Sequence, residues 1–299
     1  MPTYLVWDRE TLEECYPEVD GLSLHRYYSN SKEDTGGDTT RFLALNLDME
    51  RQIQETLAVC DYVGGLLHSP KKLWLSFDEW NVWYRARSGD ATNGHGKFAP
   101  KLLEEIYNLE DALLVGGMVN TLLRQADRVK VGCLAQIINV IAALFTSKDS
   151  VMRQTIYYPY AWGIKYAKGE VLDLLVESET YDIERKYKAS YTGTASGKKE
   201  DVPFVDISAT RDPNNGNCSL LLLNRDLDKD REVEITFRDM TPTKVLAAET
   251  ITGKDLKAGN SFAKPTNVVP VELDTPNVGS KMTLKLPARS YSVLQVATS

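Results

Sequence analysis

The sequence is poor in the features that mark membrane, metal-binding and disulfide-linked proteins. No stretch of its 299 residues approaches roughly 18 consecutive apolar positions, so no transmembrane helix is predicted. Its three histidines are scattered and its four cysteines form no CxxC pair, which argues against a zinc site or a disulfide framework. We therefore expect buried free thiols, no metal and no cofactor, in the reducing environment of the cytoplasm.

The chain also lacks an excess of positive charge. The chain carries 35 Lys and Arg against 42 Asp and Glu, which gives a formal net charge of -7 and a pI near 5.2. This balance argues against a nucleic-acid or anionic-membrane partner held by bulk electrostatics. Residues 1–10 have neither a basic n-region nor an apolar h-region, so no signal peptide is expected.

Strand and helix signals alternate through the first half of the chain. Asp38 or Thr39 can cap a helix whose apolar positions recur at helical spacing as far as Val63. A polar, Gly-rich loop is predicted at 85–98. The other predicted elements are strands at 19–24, 73–77 and 129–136 and a helix at 100–126. This βα alternation is typical of parallel strands joined by helical crossovers.

Strand-like runs dominate after about residue 150, where no helical period is visible. The predicted strands are 171–176, 202–209, 218–223, 233–237, 244–250, 282–286 and 291–297. Short strands with regular turns predict an antiparallel β-sandwich. We divide the chain into an α/β domain at 1–150 and a β-sandwich domain at 151–299, with a soft boundary between Ser147 and Lys168. Because three βα units cannot close an eight-stranded barrel, the first domain is expected to be part of something larger.

The most informative segment is 73–84. A short apolar run ends there in two adjacent carboxylates, Asp78 and Glu79, and two tryptophans and a tyrosine follow at once. A strand that delivers a carboxylate to its carboxyl end, beside aromatic rings, is typical of barrel enzymes that bind and cleave sugars. Because side chains alternate along a strand, we expect Asp78 to face a neighbouring helix or loop and to serve the fold.

Several stretches of the sequence resemble the family 51 glycoside hydrolases, the intracellular α-L-arabinofuranosidases. These stretches are 23–30, 75–84, 108–115, 133–141 and 154–159. They are similar to the ends of the sixth and seventh strands of that family's barrel, the helix after the seventh, the eighth strand, and the lead into the β-sandwich. The resemblance implies an α/β plus β fold, made of the last three βα units of a (β/α)8 TIM barrel followed by an antiparallel β-sandwich.

The resemblance also implies roles for particular side chains. Glu79 would be the catalytic nucleophile, and Tyr27 would donate its hydroxyl to that carboxylate and orient it. Gln136 would bind the hydroxyls of the furanose ring. His25 lies two residues before Tyr27 on the same strand face, so it would contact the sugar, orient Tyr27 or serve only the fold.

The aromatic residues and the remaining histidines leave more than one interpretation open. Trp80 and Trp83 would stack on sugar faces as part of the substrate site, or would belong to the core. His68 and His95 are expected at a helix end and in a loop, and we assign neither a role.

One part of the family pattern is missing. The family's general acid/base is the glutamate of an Asn-Glu pair at the end of the fourth barrel strand, and this sequence contains no Asn-Glu dipeptide. We therefore expect the nucleophile half of a retaining glycoside hydrolase. It would release terminal α-L-arabinofuranosyl groups from arabinan or arabinoxylan oligosaccharides once a companion chain supplies the amino-terminal barrel half. A homo-oligomer, a hexamer in the family, is implied by resemblance alone.

Two alternative functions stay open at this point. The chain could be a non-catalytic, truncated module for sugar binding or assembly, or a related glycosidase with β-xylosidase or endoglucanase action. We expect the isolated chain to hydrolyse nothing at a useful rate, because general acid catalysis typically contributes about 10²–10⁴-fold.

Overall fold

The computed structural model describes residues 2–32, 34–84, 98, 103–185, 188–189, 193–194 and 198–299. The helices are α1 (Pro2–Cys15), α2 (Thr39–Leu43), α3 (Leu45–Leu66), α4 (Leu109–Arg124) and α5 (Tyr157–Tyr166). The first strands are β1 (Gly21–Tyr28), β2 (Trp74–Val82), β3 (Val129–Leu134), β4 (Leu144–Thr146) and β5 (Val151–Arg153). The later strands are β6 (Glu170–Val171), β7 (Thr180–Arg185), β8 (Lys188–Ala189), β9 (Gly193–Thr194), β10 (Lys198–Pro203), β11 (Val205–Arg211), β12 (Asn217–Asn224), β13 (Arg231–Thr236), β14 (Pro242–Ile251), β15 (Val271–Glu272), β16 (Lys281–Leu286) and β17 (Ser290–Thr298).

Strands β1, β2 and β3 form a parallel sheet with β2 in the middle. One face of this sheet packs on the helices, where Leu24, Tyr28 and Phe77 join apolar side chains of α3 and α4 in the main hydrophobic core. The opposite face is open, and Ser23 and His25 are exposed on it. The parallel pairing predicted from the βα alternation is confirmed, and β2 extends past its carboxylates instead of ending before them.

A β-bulge interrupts β2 just before Glu79. In the pairing of β1 with β2, Ser23 lies opposite Ser76 and His25 lies opposite Glu79, so three steps along β2 match two along β1. The pairing of β2 with β3 is irregular at the same place. Asp78 therefore lies in the segment of β2 that holds one residue more than its neighbours.

The bulge reverses the side-chain alternation of β2. Before it, Leu75 and Phe77 are fully buried on the helix side; after it, Trp80 and Val82 are fully buried. In an uninterrupted strand, the buried side chains would all have been at odd-numbered positions. The residue inserted between the two buried pairs is what allows both carboxylates to lie on the open face.

The second half of the chain is mostly β. A six-stranded antiparallel sheet has the order β15-β14-β17-β12-β11-β6, and a separate antiparallel pair joins β13 to β16. Their inward side chains share one hydrophobic cluster, which includes Leu220, Leu222, Leu284, Leu286 and Leu294. Alternating burial along β16 shows that one of its faces is turned to this cluster.

Helix α4 lies between the parallel sheet and the six-stranded sheet. Its Gly116 approaches β17 so closely that an added Cβ would lie 2.4 Å from the ring of Tyr291. The main core runs through this contact, because Leu223 and Val293 of the six-stranded sheet belong to it. The division of the chain near residue 150 stays a prediction.

The helix predicted from Pro100 begins only at Leu109. Asn108 caps it: its side chain accepts from the Asp111 N–H over 3.1 Å, and the Asp111 carboxylate accepts from the Asn108 N–H over 2.9 Å. This reciprocal capping box fixes the start of the helix. Residues 103–107 before it are not helical, and residues 99–102 lie outside the described part of the chain, as does nearly all of the predicted loop at 85–98.

Two further predictions about secondary structure were wrong, and one helix was not predicted at all. Helix α5 lies in the part of the chain where no helix was expected; Pro159 falls within its first turn, where proline removes no needed hydrogen bond. The strand predicted at 171–176 shortens to Glu170–Val171. Helix α1 occupies a segment for which no helix was predicted.

All four cysteines are free, but only two are buried. Cys60 and Cys218 are buried as expected, and Cys15 is half-buried. Cys133 is exposed. The Cβ position of the preceding residue, Gly132, faces Leu122 of α4. Because side chains alternate along a strand, Cys133 points to the open face of the sheet. None of the helices in the described residues is long and apolar enough to span a membrane.

Candidate active site

Tyr27 and Glu79 meet on the open face of the parallel sheet. The Tyr27 hydroxyl donates to Oε2 of Glu79 over 2.8 Å. The two residues come from neighbouring parallel strands, close to the carboxyl end of each. Burial, and then the hydrogen bond to Glu79 and the charge of its carboxylate, raise the pKa of Tyr27, so the phenol stays a hydrogen-bond donor.

Asp78 lies on the same face as Glu79, which corrects the expectation that it would face a helix or loop. The Ser23 hydroxyl donates to Oδ1 of Asp78 over 2.7 Å, and Nε2 of His25 lies 3.3 Å from the same oxygen. The reason is the bulge in β2, where three steps from Ser76 to Glu79 match two steps of β1 and the side-chain alternation is interrupted.

His25 lies between the two carboxylates. Its Nδ1 is 3.4 Å from Oε2 of Glu79, and its Nε2 faces Asp78. The side chains of His25, Asp78 and Glu79 are 50%, 40% and 47% exposed. The site is therefore open to solvent, and a substrate can reach it.

The two tryptophans have different surroundings. Trp80 is fully buried in the main core, and the edge of its ring meets Tyr160 with the centroids 5.9 Å apart. It is a core residue and no platform for a sugar in this structure, because the bulge turns it to the helix side. Trp83 is half-buried and packs edge-on against Tyr27, with centroids 5.3 Å apart and an interplanar angle of 68°.

Gln136 follows β3 and is exposed. It is joined to Ala135 by a cis peptide bond, and its backbone N–H donates to the Ile141 carbonyl over 3.2 Å. Among the described residues, no hydrogen bond links its side chain to Glu79 or Tyr27. The structure thus places Gln136 after the strand next to β2, with no hydrogen bond to the carboxylate among the described residues.

Asn81 is a residue that sequence reasoning missed. It is fully buried, and its Nδ2 donates to the carbonyls of Ala135 and Ile141 over 2.7 and 2.6 Å. These bonds tie the end of β2 to both sides of the loop that carries Gln136. The available signal was an amide among apolar residues near the end of a strand, where a buried polar group must find partners.

The remaining histidines lie elsewhere. His68 follows the end of α3 with a positive φ of 52°, and His95 lies outside the described residues. Within the described part of the chain, no group of three or more His, Cys, Asp and Glu side chains is arranged to hold a metal ion.

Comparison with known proteins points to one family. The profile of the α-L-arabinofuranosidase C-terminal domain matches residues 78–290. An intracellular exo-α-(1→5)-L-arabinofuranosidase of Acetivibrio thermocellus is 38% identical over 266 residues, which cover 87% of this chain and 50% of the relative. Intracellular exo-α-(1→5)-L-arabinofuranosidase 1 of Bacillus subtilis is 35% identical over 298 residues, covering 99% of this chain and 56% of the relative.

A solved structure supports the same relationship. A family 51 α-L-arabinofuranosidase from Bifidobacterium longum superposes with a TM-score of 0.84 at 29% identity, covering 99% of this chain and 56% of that chain. The chain thus spans about half the length of the relatives it matches. The chain belongs to the α-L-arabinofuranosidase C-terminal domain family and corresponds to a C-terminal part of the family 51 glycoside hydrolases.

Proposed function

We propose that this chain carries the nucleophile half of a retaining α-L-arabinofuranosidase site. The observation that carries the proposal is the placement of Glu79 on the open face of a parallel sheet, with Oε2 held by Tyr27. Among the described residues, Oε1 of Glu79 accepts no hydrogen bond. A carboxylate with one oxygen held and the other open is suited to attack an anomeric carbon.

The chemistry requires two carboxyl groups. In a retaining glycosidase they lie about 5–5.5 Å apart, and one attacks while the other protonates the leaving oxygen. Attack by Glu79 forms a bond from its carboxylate to the anomeric carbon and breaks the bond from that carbon to the leaving oxygen. The second carboxyl group then takes a proton from water, and that water releases the sugar and regenerates Glu79.

The second carboxyl group comes, in this proposal, from the part of the family's fold that lies outside the described residues. The described parallel sheet has three strands, with β1 and β3 at its edges, and its Glu79 face is open. Additional βα units beside these edges would complete a (β/α)8 barrel around the site, with residues 1–150 as its last three units and 151–299 as the β-sandwich domain. By resemblance we further propose a homo-oligomer located in the cytoplasm.

The substrate would be a terminal α-L-arabinofuranosyl group on an arabinan or arabinoxylan oligosaccharide. The names of the Acetivibrio thermocellus and Bacillus subtilis relatives support this class of sugar. In the proposal, Gln136 binds furanose hydroxyls and Trp83 lies beside the sugar while it supports Tyr27. Trp80 has no role in binding, because it is fully buried.

Reconstitution tests the proposal. The chain is mixed with the amino-terminal part of the Bacillus subtilis relative that it does not match, and nitrophenyl α-L-arabinofuranoside hydrolysis is measured for each part alone and for the mixture. Only the mixture should be active, and Glu79→Gln should abolish that activity because an amide cannot form the glycosyl ester. Strong turnover by the isolated chain would contradict the proposal.

The same mixture, tested with other substrates and for sugar binding, separates the alternatives. Hydrolysis of nitrophenyl β-xyloside or of cello-oligosaccharides in preference to the arabinofuranoside would indicate a related glycosidase. Binding of arabino-oligosaccharides by a stable but inactive complex, measured by calorimetry, would indicate a non-catalytic sugar-binding module.

A further inference from the structure

Three polar side chains surround the imidazole of His25 on the open face of the sheet. Nδ1 lies 3.4 Å from Oε2 of Glu79, whereas Nε2 lies 3.3 Å from Oδ1 of Asp78 and 3.4 Å from Oγ of Ser23. Because the Ser23 hydroxyl donates its hydrogen to Asp78, its oxygen is an acceptor toward the ring. The three oxygens near the ring nitrogens in the described structure, one each from Glu79, Asp78 and Ser23, are thus all hydrogen-bond acceptors.

The bulge in β2 is what makes this arrangement possible. Without the extra residue, Asp78 and Glu79 would point to opposite faces and only one could reach His25. With it, the two carboxylates lie on either side of one imidazole, and Ser23 ties Asp78 to β1. The ring is therefore held at both nitrogens.

We propose that Asp78, held by Ser23, is a positioning residue that acts through His25 on the nucleophile. Asp78 fixes Nε2, and the ring then presents Nδ1 to Oε2 of Glu79, the same oxygen that accepts from Tyr27. Two neighbours on Oε2 leave Oε1 as the attacking oxygen. The assignment of Oε1 to attack rests on the proposed function, whereas the clamp on the Glu79 carboxylate does not.

The solvent exposure of these side chains distinguishes a positioning role for Asp78 from a purely structural one. The side chains of His25, Asp78 and Glu79 are each about half exposed, and exposed ion pairs contribute little to folding stability. Removing the Asp78 charge should therefore change the orientation of His25 and leave the stability of the fold nearly unchanged.

The first test uses the 299-residue chain by itself. With only three histidines in the sequence, ¹⁵N-labelled imidazole resonances can be assigned by the loss of one set in His25→Gln. Asp78→Asn should move both ring ¹⁵N resonances of His25, and Ser23→Ala should move them in the same direction by less. The matched control is Ser76→Ala, because Ser76 pairs with Ser23 across the strands and has no hydrogen bond to the ring.

Two results would overturn the proposal. The first is an unchanged Nδ1 resonance in Asp78→Asn, which would show that Asp78 does not set how the ring meets Glu79. The second is a large fall in the thermal midpoint of Asp78→Asn relative to Ser76→Ala, which would make Asp78 a folding residue.

A second test uses the reconstituted enzyme. Asp78→Asn should lower kcat about tenfold and leave KM within about twofold, since a mispositioned nucleophile slows the chemical step more than binding. An unchanged kcat would overturn the positioning role. If the wild-type mixture shows no activity, the proposed function fails, and the imidazole resonances still decide whether Asp78 positions His25 against Glu79.

Discussion

The hydroxyl of Tyr27 lies 2.8 Å from Oε2 of Glu79, and this bond joins two neighbouring parallel strands where both approach their carboxyl ends. Trp83 supports the Tyr27 ring from the side. The carboxylate is therefore oriented before any sugar arrives. Groups that are fixed in advance need no reorganisation during the reaction, which is a main source of enzymatic rate enhancement.

Tyr27→Phe should lower kcat of the reconstituted enzyme about 100-fold, because small errors in the placement of a reacting group cost rates of that order. The phenyl ring keeps its edge contact with Trp83, so folding should be unaffected. The matched control is Tyr62→Phe on α3, where the side chain is exposed. Steady-state kinetics check the prediction, and equal kcat values for the two variants would contradict it.

Gly116→Ala should destabilise the protein by about 2 kcal/mol, even though alanine is the better helix former. The new Cβ would meet the ring of Tyr291 at 2.4 Å, and that ring is fully buried with its hydroxyl bonded to Asn120. Gly65→Ala on α3 is the matched control, because nothing lies within 4 Å of its Cβ position. Thermal unfolding should show a lower midpoint for the first and an equal or higher midpoint for the second.

Asp206→Asn should lower the free energy of unfolding by about 3 kcal/mol at pH 7, since it leaves two arginines facing a neutral amide. Asp206 is buried and accepts from Arg225 over 2.8 Å and from Arg124 over 2.9 Å. Burial opposes ionisation, but the charges of both arginines hold the pKa of Asp206 well below its usual range.

The pH dependence of that variant follows from the direction of the shift. A lowered pKa in the folded state gives stability that is present above the unfolded pKa of about 4 and is lost as the pH falls below it. Urea unfolding at pH 7 and at pH 3 should show the difference between wild type and Asp206→Asn shrinking at the lower pH. An exposed control, Asp239→Asn, should show no difference at either pH.

Local patterns predicted the main strands of the site well. The apolar run before Asp78 and Glu79 gave the position of β2, and Asp38 caps α2 as expected by accepting from the Thr40 and Arg41 N–H groups. These features depend on neighbours within a few residues, which a sequence displays directly. The start of α4 could also have been predicted from the sequence, because Asn108 and Asp111 have the spacing of a capping box.

The bulge in β2 could not be predicted, because register depends on residues far away in sequence. Only the strand pairing shows the extra residue: β2 takes three steps where β1 takes two and where β3 takes two, and Asp78 is the residue that lies in both intervals. This one insertion sets the orientation of Asp78, which strand alternation alone assigned incorrectly. It also places Trp80 in the core, a choice that the sequence left open. A single step of register moves each later side chain to the other face.

Identifying the residue that bonds to the sugar tests the central claim most directly. The reconstituted enzyme is treated with an activated 2-deoxy-2-fluoro arabinofuranosyl donor, which slows both steps of a retaining reaction and lets the glycosyl-enzyme accumulate. Fragmentation of the proteolytic peptide that contains 73–84 then locates the adduct. The adduct should lie on Glu79 and be absent from Glu79→Gln; an adduct on Asp78, or turnover with no adduct on this peptide, would contradict the assignment.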